Sequence, residues 1–149
     1  RRQRQMCIRD RLSVDLNDLI ESLSEFERDG LPSLKDPLLR DQLVGIAIEA
    51  QANAVSDRRS NIGPLTNDYP MGIALSHKYR HTELARRLKQ IGATMQGADS
   101  SLFMEDKASH RGGFWQRAYF ANFGTTIGGG TTQIQANIIA EHVLGLPKS

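Results

Sequence analysis

Apolar side chains recur at helical spacing along most of this chain. In the first segment they are one or three positions apart: Leu16, Leu19, Ile20, Leu23 and Phe26. This spacing predicts an amphipathic helix from Ser13 to Asp29. Gly30 and Pro32 follow it directly, as expected for residues that end a helix.

Two longer helices are predicted next. The second has apolar or small side chains at steps of one, three or four positions: Leu39, Leu43, Ile46, Ala47, Ala50 and Ala54. Asp36 as the N-cap and Pro37 at the first helical position predict its start, and the pattern runs to about Arg58. The third has steps of three or four positions: Leu84, Leu88, Ile91 and Met95. We predict this helix from near Asp68 to Met95.

A polar segment and a short aromatic segment separate the third helix from the glycines. Residues 98–113 are polar with little periodicity, so we predict a loop. Phe114 to Phe123 is predicted to be a short helix. We interpret its aromatic side chains as part of the core or of a subunit interface.

The last helix is predicted to follow a glycine turn. Glycines at 128–130 permit positive φ, and Thr132 and Gln135 have the spacing of a capping box. We expect the apolar face of this helix to be buried; it comprises Ile134, Ile138, Ile139, Val143 and Leu144. Gly145 and Pro147 predict its end. No segment alternates long enough to predict a strand. The sequence therefore predicts an all-α fold, a four-helix up-down bundle.

Length and charge narrow the class of protein. The 149 residues suit one domain, and no apolar run approaches the roughly 18 residues of a membrane span.

The net charge of +2 is due to five arginines within residues 1–12. We expect this tract to be non-native and the domain to span 13–149, the alternative being a basic nucleic-acid-binding arm. Cys7, the only cysteine, lies in the tract, so we predict no disulfide and a cytoplasmic protein.

The glycine turn and the helix after it carry the most specific pattern. Residues 127–135 read IGGGTTQIQ, and residues 137–147 read NIIAEHVLGLP. This stretch resembles the end of the acyl-CoA dehydrogenase family, flavoproteins that desaturate acyl-CoA thioesters. The match is dense over about the last 25 residues, and upstream it is a match of helix order and length. The resemblance implies the carboxy-terminal helical domain of a longer FAD-dependent oxidoreductase of fatty acid or lipid metabolism.

The usual catalytic residue of that family is missing here. A glutamate commonly lies two residues before the threonine that follows the glycines, where it removes the α-proton while a hydride leaves the β-carbon. The matching position is Gly129, which offers no base, so we name no catalytic residue. The base is absent, lies upstream, or is supplied by a partner subunit. Two functions of this architecture therefore stay open: a desaturating enzyme, or a non-catalytic helical subunit or assembly module. A further alternative is a stand-alone helical interaction domain whose glycine turn binds no ligand.

The resemblance also implies which residues contact FAD. Thr131 and Gln133 match positions that contact the cofactor, partly across a subunit interface. Gly129 and Gly130 would let the backbone come close to it. Arg28 matches an arginine that reaches the flavin pyrophosphate, although the family's following Phe-Gly is not kept. The structural alternatives are helix capping for the threonine and glutamine, and a solvated helix-end side chain for the arginine.

The third helix contains a histidine pair, a basic cluster, a charged pair and a glycine, and each has a structural and a functional interpretation. His77 and His81 have the spacing of helical metal ligands. No third ligand is evident, and basic neighbours predict a solvated face, so we predict no metal. The same cluster has no interleaved aromatic residue beyond Tyr79, so we predict no nucleic acid. Glu83 is placed to pair with Arg87. Gly92 stands near the predicted helix end, where the family has a Gly-Gly turn beside the flavin, and we assign it no cofactor role.

For the intact protein, the resemblance implies acyl-CoA as substrate and a homo- or hetero-oligomer, either a dimer or a tetramer. We expect the chain alone to be inactive, because most of the flavin and thioester pocket would lie in upstream domains. Fatty acyl and steroid acyl thioesters both stay open as substrates.

Overall fold

The computed structural model describes residues 16–28, 30–66, 72–102 and 106–148, with the side chains of Arg28, Ile73 and Ala74 excepted. The tract 1–12 lies outside these ranges. Within them the chain forms α1, which comprises residues 16–24, and four further α-helices: α2 (Pro37–Arg59), α3 (Gly72–Thr94), α4 (Phe114–Ile127) and α5 (Thr132–His142). The predicted all-α helical bundle is confirmed. No described helix combines the length and apolar character needed to cross a membrane.

The first predicted helix is shorter than its apolar spacing suggested. Its helical residues stop at 24, and the chain then forms a small antiparallel ladder of β1 (Glu27–Arg28) and β2 (Leu31–Pro32). Gly30 makes this turn possible because its φ is 77°, a conformation that glycine adopts without steric cost. The prediction was therefore wrong for residues 25–28, where the chain turns and pairs with itself, while its two ends, 13–15 and Asp29, lie outside the described residues.

The start of α2 agrees with its sequence signal. The Asp36 carboxylate accepts hydrogen bonds from the amides of Leu38 at 2.9 Å and Leu39 at 3.4 Å, and Pro37 occupies the first turn. The Asp36 N-cap prediction is confirmed. A 3-10 turn, Ser33–Lys35, leads into the helix, and another, Gly63–Leu65, follows it.

Helix α3 is the central element, since it packs against α2, α4 and α5. Gly92 lies in the last turn of α3, which ends at Thr94, so the prediction that it stands near the helix end is confirmed. A Cβ at Gly92 would lie 2.2 Å from Cε3 of Trp115. The absence of a side chain therefore allows α4 to approach α3. Most of the predicted apolar stripes meet in one core of buried residues: Leu19, Leu23, Leu39, Leu43, Ile46, Leu84, Leu88 and Trp115.

Helix α4 is longer than predicted, because it continues beyond Phe123 to Ile127. Trp115 is in the core, where Nε1 donates a hydrogen bond to Ser22 Oγ at 3.0 Å. The other aromatic residues of α4 lie at or near the surface: Phe114, Tyr119, Phe120 and Phe123. Two 3-10 turns, Gly97–Ser101 and His110–Gly113, interrupt the segment predicted as a loop.

Helix α5 contradicts the expectation of a buried apolar face. Within α5 only Gln135 is buried, while Ile134 is 50% exposed. Leu144, just beyond the helix, is 64% exposed. Polar groups at its amino-terminal end bind α3, and three residues of the predicted apolar face, Ile138, Ile139 and Val143, are only half-buried.

Candidate functional site

The turn between α4 and α5 uses two of its three glycines in the left-handed region. Gly129 has φ 75° and Gly130 has φ 96°, whereas Gly128 has φ −59°. Glycine reaches positive φ without a Cβ clash. The predicted glycine turn is therefore confirmed, and its tight geometry is concentrated at the two residues just before Thr131.

The capping arrangement differs from the prediction by one residue. Thr131 is the N-cap, and its hydroxyl accepts a hydrogen bond from the Ile134 amide at 3.3 Å. Gln135 reaches back, but its Nε2 donates to the carbonyl of Gly129 at 2.7 Å. Thr132 does not cap α5, because its hydroxyl donates instead to Glu83 Oε1 at 2.8 Å.

Two side chains of α3 hold the turn in place. Lys78 Nζ donates to the carbonyl of Thr126 at 3.0 Å and also to the carbonyl of Gly130. The Glu83 carboxylate accepts a hydrogen bond from the Thr132 hydroxyl. This hydrogen bond is the largest of the effects that lower the pKa of Glu83. Sequence reasoning missed Lys78 because a basic residue in a basic cluster carries no sign of its distant partner.

The charge pairing of Glu83 also corrects a prediction. Glu83 Oε2 lies 3.1 Å from Arg86 Nε, one turn along the same helix. Arg87, the predicted partner, pairs instead with Glu49 of α2. Arg87 therefore contributes to the contact between α2 and α3.

Four of the proposed cofactor residues lie together at the start of α5. Gly129 and Gly130 form the turn, Thr131 is half-buried as the N-cap, and Gln133 is exposed on the first helical turn. The amides of Thr132 and Gln133 have no carbonyl partner within α5, since they belong to its first turn. This arrangement offers donors to a polar or anionic ligand.

Arg28 lies elsewhere in the chain. Its backbone is in β1, and the neighbouring Glu27 borders the same cavity as Thr94 and Met95 at the carboxyl end of α3. The glycine turn contacts α3 near Lys78. At 1.5 Å per residue, the distance from Lys78 to Thr94 along α3 is about 24 Å. The structure therefore does not bring Arg28 to the start of α5 within one chain.

A groove runs between α2 and α3 beside the start of α5. It has a volume of about 650 Å³, and its lining includes Thr132, Glu83 and Arg80. Arg80 Nη1 donates to Asn53 Oδ1 of α2 at 3.1 Å. The groove therefore presents charged and hydrogen-bonding groups next to the turn, as a polar ligand requires.

A second cluster forms where α2 and α3 meet. Asp57 Oδ2 lies 3.3 Å from Nε2 of His77 and 3.3 Å from Nε2 of His81. His81 is 5% exposed, so the prediction of a solvated face is wrong for this residue. Burial, and then the neighbouring His77, lower the pKa of His81 to about 4. Sequence reasoning missed Asp57 as a third group because Asp57 belongs to a different helix.

Comparison with known proteins places the chain in a family. Residues 14–144 match the acyl-CoA dehydrogenase C-terminal domain, and the chain belongs to this family. Acyl-CoA dehydrogenase IpdE1 of Mycolicibacterium smegmatis is 36% identical over 113 residues, which are 76% of this chain and 26% of that protein. IpdE1 of Mycobacterium tuberculosis is 59% identical over 34 residues, 23% of this chain and 9% of that protein. The chain thus spans about a quarter or less of its curated relatives.

Two solved structures share the fold. The Tcur3481-Tcur3483 steroid ACAD has a TM-score of 0.73 at 19% identity, with 93% of this chain and 35% of that chain covered. The ChsE4-ChsE5 complex from Mycobacterium tuberculosis has a TM-score of 0.72 at 20% identity and the same coverage. The family predicted from the glycine turn is confirmed, and with it an oxidoreductase lineage.

Proposed function

We propose that this chain is the carboxy-terminal helical domain of an FAD-dependent acyl-CoA dehydrogenase that desaturates an acyl-CoA thioester at its α,β-carbons. The observation that carries the proposal is the fixed turn at the start of α5. Lys78 and Gln135 hold its carbonyls, while the side chain of Gln133 is exposed. Donors that are already positioned lose little freedom when a ligand binds.

FAD, when bound, would accept the hydride that leaves the β-carbon. Gly129 and Gly130 would let the backbone approach the cofactor, and Thr131 and Gln133 would contact its polar edges. Arg28 would contact a phosphate, for which a guanidinium is well suited. Because Arg28 lies near the other end of α3, its contact would be with a distant part of the cofactor or with a cofactor bound mainly to a neighbouring subunit. A dimer or a tetramer is proposed because a structural neighbour is the ChsE4-ChsE5 complex.

Gly129 favours a second candidate function. A chain without a base at this position would serve as a non-catalytic helical subunit or assembly module, and a partner subunit would supply the base. The two functions differ in the turnover of the purified full-length protein with an artificial electron acceptor. Turnover by the protein alone supports the enzyme, and turnover only after addition of a partner subunit supports the assembly module.

Steroid acyl-CoA is the first substrate class to test, because a structural neighbour is named a steroid ACAD. Fatty acyl-CoA at the same thioester concentration serves as the comparison substrate. The ratio of kcat/KM for the two thioesters reports the substrate class directly.

Gln133→Ala provides the test of cofactor binding. Gln133 is exposed on the first turn of α5, so its removal should leave folding unchanged. One lost hydrogen bond of about 1 kcal/mol should weaken FAD binding by about fivefold in the full-length enzyme, measured by titration of flavin fluorescence. Asn137→Ala is the matched control, because Asn137 is exposed one turn further along α5. Equal dissociation constants for both variants would contradict the proposed contact.

A further inference from the structure

We propose that Asp57, His77 and His81 form a binding site for a divalent transition-metal ion, with Zn²⁺ the best match, between α2 and α3. The three residues include two imidazole nitrogens and one carboxylate oxygen, which are zinc ligands. The proposal is independent of FAD binding and of the substrate.

The distances between the ligand atoms suit a shared ion. Asp57 Oδ2 is 3.3 Å from Nε2 of each histidine, and the ligand atoms of all three residues lie within 4.8 Å of one another. Zinc bonds of about 2.0–2.1 Å in a tetrahedral arrangement separate ligand atoms by roughly 3.3–3.4 Å. The carboxylate is therefore already at coordination spacing from both imidazoles.

The helices explain why these side chains meet. His77 and His81 are one turn apart on α3 and present stacked rings, with centroids 3.9 Å apart and an interplanar angle of 24°. Asp57 is in the last turn of α2, which crosses this face. The side chains of His81 and Asp57 are buried, whereas 21% of the His77 side chain is exposed. An ion can enter from the His77 side, where a water molecule would complete its coordination.

The electrostatics of the cluster favour coordination. A metal ion binds the neutral form of an imidazole and the ionised form of a carboxylate, and the cluster contains both types of group. Asp57 supplies a negative charge. The positive charge of Arg80 opposes an ion at this place, and hydrogen bonds to Asn53 and Ser76 fix the position of its guanidinium.

A buried histidine that only fills space does not explain this cluster as well. Among the residues that the structure describes, Nδ1 of His81 has no hydrogen-bond partner, and its Nε2 lies 3.3 Å from Asp57 Oδ2. Buried polar atoms usually have such partners. A metal ion between the imidazoles and the carboxylate would engage Nε2 of His81 without rearrangement of the helices.

Metal titration of the 149-residue chain tests the proposal. Bound metal is first removed from the protein with a chelator. The protein is then titrated with Co²⁺, whose visible absorption reports binding with a low coordination number. A separate titration with Zn²⁺, in competition with a chromophoric chelator, gives the affinity for Zn²⁺. All proteins carry Cys7→Ser, so that the only thiol of the chain does not compete for the ion. We expect one ion per chain and a rise in melting temperature with Zn²⁺.

His77→Ala and His142→Ala form a matched pair of variants. His77 is half-buried and His142 is exposed on α5. Loss of a residue that only hydrogen-bonds to a metal ligand typically weakens metal binding by roughly 10–100-fold. Because His77 is proposed as a ligand itself, His77→Ala should weaken Zn²⁺ binding by at least this factor. His142→Ala should bind Zn²⁺ as the parent does. If His77→Ala fails to fold, His77→Asp keeps an oxygen ligand and should bind one ion more weakly. No stoichiometric binding by the parent, or parental affinity in whichever His77 variant folds, would overturn the proposal.

Discussion

The contact between Gly92 and Trp115 leads to a quantitative prediction for Gly92→Ala. A Cβ at Gly92 would lie 2.2 Å from Cε3 and 2.4 Å from Cδ2 of Trp115. Trp115 is 1% exposed, and its Nε1 donates to Ser22 Oγ at 3.0 Å. The indole is therefore enclosed and anchored, so the added methyl group displaces either the ring or the backbone of α3. We expect Gly92→Ala to destabilise the fold.

The magnitude follows from two opposed effects. Alanine in a helix interior is about 1 kcal/mol more favourable than glycine. An additional carbon in a well-packed core costs about 1–3 kcal/mol, and loss of the Trp115–Ser22 hydrogen bond would cost about 1 kcal/mol more. We therefore expect the free energy of unfolding to fall by about 1–3 kcal/mol. For a chain of this length, a loss of about 2 kcal/mol lowers the melting temperature by about 4–8 °C.

Urea unfolding followed by far-UV circular dichroism and by the fluorescence of the single tryptophan measures this change. Gly45→Ala is the control, because Gly45 lies inside α2 and an added Cβ there meets nothing within 4 Å. That variant should gain up to about 1 kcal/mol. If Gly92→Ala were as stable as the parent, or shared the gain of Gly45→Ala, the packing of Trp115 on Gly92 would be refuted.

Two further predictions concern the turn before α5 and the response to acid. Lys78→Met removes the cation that holds the carbonyls of Thr126 and Gly130. Hydrogen exchange at the start of α5 should therefore become faster by about 10–150-fold, the effect of about 1.5–3 kcal/mol for hydrogen bonds to a charged group. Unchanged exchange would contradict this role. Burial lowers the pKa of His110 below its ordinary value of 6.5, against the attraction of Glu25. The unfolded chain then binds the proton more readily, so the free energy of unfolding should fall as pH decreases below about 6.5. His110→Gln should reduce this pH dependence in urea titrations, and an unaltered slope would refute the assignment.

The parts of the fold that were predictable depend on neighbours in sequence. Asp36 and Pro37 mark the start of α2 because an N-cap bonds to amides two and three residues later. The stripes of Leu39, Leu43, Leu84 and other apolar residues indicated the core because helical spacing places them on one face. The family could be identified from the glycine turn because that pattern is dense and local.

The parts that were not predictable depend on contacts between distant residues. Either Thr131 or Thr132 can cap α5, and the choice is made by Glu83 of α3, which binds the Thr132 hydroxyl. Similarly, α2 brings Asp57 to the two histidines of α3. No local spacing rule includes such partners, so the sequence indicated the residue types but not their assembly.

The backbone conformation of Gly129 also bears on how this protein can evolve. An added Cβ at Gly129 meets nothing within 4 Å, so space alone would admit a glutamate there. Its φ of 75°, however, costs an L-residue about 1–2 kcal/mol. A single exchange to glutamate would thus give a less stable chain before it gave a useful base. Glutamate at this position would therefore carry a modest cost in stability, which a second change that relaxes the turn would offset.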